Sequence, residues 1–126
     1  MMDAPPSLAG SRVLVVDDHR DTCDLMEQAL THAGASVVAA LSARDALSSV
    51  DFADVVVTDY SMPGETGLWL LERIRERARP IPVLVVTGYA DRYAEDLRKA
   101  PFARVLRKPV DPWQLCDVIA SVLRGS

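Results

Sequence analysis

A chain of 126 residues with 49% hydrophobic and 25% charged residues has the composition of one ordinary globular domain, long enough to bury roughly two-thirds of its unfolded surface without staples. Its formal net charge of −4 excludes the basic footprint by which nucleic-acid binders neutralise phosphates and favours a cation or a basic protein surface as partner. The opening MMDAPPSLAG carries neither a basic nor an apolar signal region, and no run of about 20 apolar residues follows, so a cytoplasmic chain that neither enters a membrane nor binds nucleic acid directly is expected.

Strand and helix patterns alternate along the chain. Residues 1–10, rich in Pro, read as a flexible tail, residues 11–124 as the domain and residues 125–126 as a short C-terminal tail. RVLVVD (12–17) is an apolar strand. From His19 to Ala33 the apolar residues Leu25, Met26, Ala29, Leu30 and Ala33 recur at helical spacing, and Gly34 stops the helix as a C′ glycine. SVVAA (36–40) is a second strand. Ser42 begins a helix running to Val50, with Asp45 three residues on as a weaker relative of the capping box. A third strand spans Asp54–Asp59. Gly67–Arg77 reads as a helix with Leu68, Leu71 and Ile74 inward, and Arg73, Arg75, Arg77 and Arg79 suit its negative C-terminal end. Ile81–Val86 is a strand, Asp91–Ala100 a helix, Ala103–Arg107 a strand, and Pro112–Leu123 a helix with proline in its first turn. Cys23 and Cys116 lie inside helical patterns without zinc-like spacing, so both read as reduced, packed thiols.

The strand cores VLVV, VVV and VLVV are nearly continuous β-branched runs, as suits parallel strands covered on both faces. Strands alternating with helices predict right-handed crossovers and an α/β fold: a single five-stranded parallel sheet, order 2-1-3-4-5, with helices on both faces, in the flavodoxin-like arrangement. Ligands of such sheets sit beyond the carboxyl ends of the strands, at the switch point beside strand 1. Asp17 and Asp18 follow strand 1, Asp59 ends strand 3, Thr87 and Gly88 follow strand 4, and Lys108 and Pro109 follow strand 5. Three carboxylates, a hydroxyl and an ammonium therefore converge on one edge. At about 4 Å each carboxylate pair costs on the order of 4 kcal/mol at an effective dielectric near 20. A hard cation among them removes that cost, and oxygen ligands suit Mg²⁺. A metal beside a carboxylate nucleophile, with Lys and Thr at hand, is an arrangement for phosphoryl transfer.

VVDD (15–18), VVVTDYSMPG (55–64), VVTG (85–88) and LRKP (106–109) together resemble the CheY-like receiver domain of response regulators in two-component, phosphorelay signalling, over roughly residues 11–124. The resemblance implies that Asp59 accepts a phosphoryl group from a phosphohistidine on a histidine kinase or phosphotransfer protein. It implies that Asp17, Asp18 and Asp59, with the Ser61 main-chain carbonyl, hold Mg²⁺, for which Mn²⁺ could substitute. Lys108 would contact a phosphoryl oxygen, and Thr87 would move to hydrogen-bond the phosphoryl group. A cis Lys108–Pro109 peptide is implied as well. Such a domain is a switch rather than an enzyme acting on a separate substrate. It phosphorylates itself from a donor, slowly hydrolyses its aspartyl phosphate, and signals to a downstream protein through the face of its fourth helix, fifth strand and fifth helix.

One position departs from the family pattern. Receivers often carry Tyr or Phe three residues before the lysine, where Val105 stands here, so the aromatic readout is replaced by something smaller. Tyr89 either shapes access to the pocket or is a plain loop tyrosine. His19 reads as a solvent-facing residue in preference to a gate, and His32 has no assigned role. Trp69 reads as an edge-of-core residue. Trp113 lies outside the Leu115, Ile119, Val122 stripe, either packed at the surface or contacting a partner beside the basic residues Arg98, Lys99, Arg104 and Arg107.

Three other functions compete. A phosphatase of the haloacid-dehalogenase type needs a second acid where Ser61 stands. A flavodoxin needs a hydroxyl-rich phosphate loop where Asp17 and Asp18 would repel phosphate. A degenerate receiver serving only as an interaction or dimerisation module would not need the five pocket residues. The chain is expected to be either a free-standing receiver or a part of a longer regulator or hybrid kinase.

Overall fold

The computed structural model describes residues 7–77, 79–88 and 97–125. Five strands, β1 (Arg12–Val16), β2 (Ser36–Ala40), β3 (Val55–Asp59), β4 (Val83–Thr87) and β5 (Arg104–Arg107), form one sheet in the order β2-β1-β3-β4-β5. Every neighbouring pair is parallel. The described helices are α1 (Arg20–His32), α2 (Ala43–Leu47), α3 (Gly67–Arg75), α4 (residues 97–99) and α5 (Pro112–Leu123), with a 3₁₀ turn at Val50–Phe52. The rest of the helix expected over 91–100, and Tyr89, lie outside the described residues.

Strand periodicity explains why the sheet has two cores. Val13 and Val15 of β1, Val55 and Val57 of β3, and Leu84 and Val86 of β4 point to one face, where α1 and α5 cover them with Met26, Leu30, Leu115 and Ile119. The alternate residues Leu14, Val16, Val56 and Val83 point to the other, under Ala43 and Ala46 of α2 and Leu70, Leu71 and Ile74 of α3. β3 and β4 are buried along their whole length. At about 1.5–3 kcal/mol for each fully buried Val or Leu side chain, these central strands anchor the sheet.

The helix stripes follow the sequence expectation closely: Met26, Ala29, Leu30, Ala33, Leu71 and Ile74 are all buried. Leu25, expected inward on α1, is 56% exposed, while Cys23 is buried, as its reading as a packed thiol expected. On α3 Leu70 is buried as well, and Leu68 is half-buried and packed against the same core. The arginines after α3 also act differently: α3 ends at Arg75, and Arg79 Nη2 donates to the carbonyls of Asp51 and Ala53 (3.2 and 2.7 Å), while Arg77 Nη2 donates to Leu47 O at 3.4 Å. They fasten the turn before β3 rather than the end of their own helix. Leu8, in the segment read as a tail, is buried against the α1 face, and its N–H donates to Ala33 O at 2.7 Å. The proline-rich composition around it gave no sign of this.

Local chemistry sets the helix ends. Ser42, Thr66 and Asp111 cap α2, α3 and α5, accepting from the backbone N–H groups of Asp45, Trp69 and Trp113. Gly34, at φ +106°, supplies the left-handed C′ position after α1.

Candidate functional site: an acidic pocket at the carboxyl edge

The pocket lies where the strand order reverses, beyond the ends of β1 and β3. Asp59 is the last residue of β3 and 4% exposed; Asp17, one past β1, is 2% exposed. Because β1 and β3 pair in parallel with Val16 beside Thr58, Asp17 and Asp59 reach the edge side by side. Asp17 is fixed from three directions: its N–H donates to Ala40 O (3.1 Å), its Oδ1 accepts from the His19 N–H (2.8 Å), and its carbonyl accepts from Cys23 Sγ (3.3 Å). Burial, with Asp17 nearby, pushes the Cys23 thiol up to about 11, so this cysteine is a packed neutral donor rather than a nucleophile. Cys116 is also buried and shifted upward by burial.

Lys108 follows β5 and reaches across β4 to place Nζ 3.1 Å from Asp59 Oδ2. The Lys108–Pro109 peptide is cis, as the family resemblance implied. Burial raises the Asp59 carboxyl above its ordinary range; the Lys108 hydrogen bond and charge oppose that shift, and Asp17 and Asp18 add to it. Thr87 closes β4, is 1% exposed and lies beside Arg107 of β5 in register, with Lys108 N–H donating to its carbonyl at 3.0 Å. Ser61 is exposed in the loop past Asp59, and that loop turns at Gly64 with φ +84°.

Two contributors escaped sequence reasoning. Gly67, the first residue of α3, lies so close behind the strand end that a Cβ there would meet Asp59 O at 2.6 Å and Tyr60 Cα at 3.2 Å, and its N–H donates to Tyr60 O at 2.9 Å. The helix thus backs directly onto the Asp59 main chain; the one hint was a glycine following a helix cap. His19, read as facing solvent, has an exposed side chain but turns Nδ1 onto the carboxylates, 3.1 Å from Asp17 Oδ1 and 3.4 Å from Asp18 Oδ1. Asp17, Asp18, His19 and Asp59 each bring one ligand atom within 4.8 Å of all the others.

Trp113 packs at the surface, the first of the two readings offered for it. It is 48% exposed, packs edge-on against His32 of α1 at 5.5 Å, and lines a groove with Leu25, Gln28, Ala29 and Pro112. Trp69 is half-buried between Arg44 and Arg73, whose guanidinium carbons lie 5.2 and 5.5 Å from its ring centre.

A doubly wound parallel sheet with an acidic pocket at its switch point defines the class of protein. The sequence profile of the response regulator receiver domain matches residues 13–120, and the chain belongs to that family, the receivers of two-component signalling. An uncharacterized 14.6 kDa protein from the sodA1 3′ region of Leptolyngbya boryana is 37% identical over 120 residues, 90% of this chain and 90% of its own length. The C4-dicarboxylate transport transcriptional regulatory protein DctD of Rhizobium meliloti is 40% identical over 92 residues, 71% of this chain but 19% of DctD. Among solved structures, a CheY-like receiver domain protein from Methanospirillum hungatei superposes with a TM-score of 0.84 at 28% identity, covering 91% of this chain and 94% of that one. The response regulator TrrA of Thermotoga maritima, solved in complex with Mg²⁺-BeF, gives 0.80 at 25% identity, covering 89% and 98%. Among the described residues, no helix is long and apolar enough to cross a membrane.

Proposed function

We propose that this receiver domain accepts a phosphoryl group on Asp59 from the phosphohistidine of a histidine kinase or phosphotransfer protein, with a divalent cation bound beside it, and thereby changes its surface for a downstream protein. The observation that carries this reading is the Asp59 carboxylate: buried at a strand end, 3.1 Å from an ammonium, and within 4.8 Å of the Asp17 and Asp18 carboxylates. A structural carboxylate has no need of two like charges beside it.

The residues present fit a hard cation. All three carboxylates offer oxygen, and Asp18 Oδ1 is the one buried side-chain oxygen or nitrogen among the described residues without a hydrogen-bond partner. Asp17, Asp18 and Asp59 would hold the ion, with the Ser61 main-chain carbonyl as a further ligand. Bound Mg²⁺, or Mn²⁺ in its place, supplies positive charge against the transferring group.

The remaining chemistry belongs to the chain. An Asp59 oxygen attacks phosphorus, the P–N bond of the phosphohistidine breaks, and the imidazole leaves with the electron pair. Lys108 holds Asp59 in its ionised, nucleophilic form before transfer and pairs with a phosphoryl oxygen after it. Water later attacks phosphorus, the P–O bond to Asp59 breaks, and inorganic phosphate and the carboxylate are released. Thr87, buried at the end of β4 and in register with β5, would hydrogen-bond the phosphoryl group and pass its displacement to β5, and so to the face of α4, β5 and α5.

Incubation with a small acyl phosphate and Mg²⁺, followed by intact-mass spectrometry, is expected to add one phosphoryl group to the wild-type chain and none to Asp59→Asn. The same addition to Asp59→Asn would overturn the assignment.

A further inference from the structure

We propose that His19 is a ligand in the acidic pocket, making it a mixed imidazole–carboxylate site that favours Co²⁺, Ni²⁺ or Zn²⁺ over Mg²⁺. The inference rests on the reading that Asp17, Asp18 and Asp59 hold a metal. It concerns which metal they hold and with what help.

The His19 backbone places the ring. His19 is the N-cap residue of α1, with extended φ/ψ of −95° and 111°, and its N–H is tied to Asp17 Oδ1 at 2.8 Å. That tie lifts the Cα over the carboxylates. The N-cap side chains of α2, α3 and α5 are all spent on capping their helices, whereas the His19 side chain makes no capping bond. It turns instead to the pocket, with Nδ1 hydrogen-bonded to Asp17 Oδ1 at 3.1 Å and lying 3.4 Å from Asp18 Oδ1. The second of these oxygens is the buried atom without a hydrogen-bond partner: His19 lies within ion-pairing range of it but off hydrogen-bonding geometry. An orphaned carboxylate oxygen and an imidazole nitrogen whose hydrogen bond goes to a second carboxylate of the cluster therefore face one small space, into which Asp59 also reaches.

The donor set decides the metal. Three carboxylates alone suit Mg²⁺, which takes oxygen and keeps its waters. An imidazole nitrogen adds little for Mg²⁺ but raises affinity for the later first-row ions, along the order that rises from Mn²⁺ towards Ni²⁺ and Cu²⁺. Ligation through Nδ1 places the ring proton on Nε2, and the largely exposed side chain leaves the ring free to adjust. The other histidine, His32, packs against Trp113.

The test is calorimetric titration of the chain, free of any polyhistidine tag, with Mg²⁺ and with Co²⁺, for wild type, His19→Ala, His19→Gln and Asp18→Asn. Both His19 variants are expected to lose about tenfold or more in Co²⁺ affinity and to change Mg²⁺ affinity by less than about twofold. In Co²⁺-loaded wild-type protein, proton NMR should show a strongly shifted, exchangeable imidazole N–H resonance that is absent from both variants. Unchanged Co²⁺ affinity in the His19 variants, with both metals weakened in Asp18→Asn, would overturn the role of His19 and leave the metal-holding reading intact. Unchanged binding of both metals in Asp18→Asn would overturn that reading and this inference together.

Discussion

Asp59 holds its position at a cost that other residues offset. Burial raises its carboxyl above the ordinary 3.8, and Lys108 returns only part of the shift. The native chain therefore binds this proton more tightly than the unfolded chain does. As pH rises from the ordinary value through the raised native one, the unfolded state loses its proton first, so folding stability falls across that window and stays lower above it. Asp59→Asn removes the penalty. Without metal, it is expected to melt a few degrees higher than wild type at neutral pH, with the difference closing on acidification below the ordinary carboxylate range. Mg²⁺ should reverse the order by raising the wild-type melting temperature more than that of the variant. Melting curves across pH, with and without Mg²⁺, check this; a variant less stable than wild type at neutral pH without metal would contradict it. Asp54 has the opposite sense: its hydrogen bonds from Arg12 hold its carboxyl below the usual range, so its contribution is present at neutral pH and fades as pH falls.

At the scale of elements, strands were more legible than helix faces. A run such as VVV has one meaning in a sheet buried on both sides, and β3 and β4 are buried throughout. A helix stripe is less sharply bounded at its edges, so Leu25 came out exposed, and Leu70 is fully buried where Leu68 is half-buried. The pocket carboxylates were legible because strand ends fix them by register. His19 and Gly67 were not, because their roles depend on an N-cap turn and on how closely α3 approaches β3, neither of which leaves a periodic trace. Gly67 gives the element-scale prediction. A methyl group there would press on the Asp59 carbonyl at 2.6 Å, so Gly67→Ala is expected to cost about 1–3 kcal/mol by overpacking and to slow phosphorylation by shifting Asp59. Denaturant unfolding together with the rate of phosphoryl incorporation checks both. A variant of wild-type stability and rate would show that α3 does not set the position of Asp59.

Across the whole molecule, the sheet divides its labour. One edge gathers the polar groups, while the two faces carry separate cores under α1 with α5 and α2 with α3. The chain spans most of one relative of similar length but 19% of a transcriptional regulator, so similar sequence recurs in proteins of very different overall construction. What unites them here is the expectation that one carboxylate at the sheet edge carries the phosphoryl group. The most direct measurement is to phosphorylate the chain, reduce the product with borohydride and sequence its peptides by mass spectrometry. Reduction of an aspartyl phosphate leaves homoserine in place of the aspartate. The account predicts homoserine at position 59 alone; an intact Asp59 in phosphorylated protein, with the reduced residue elsewhere, would contradict it.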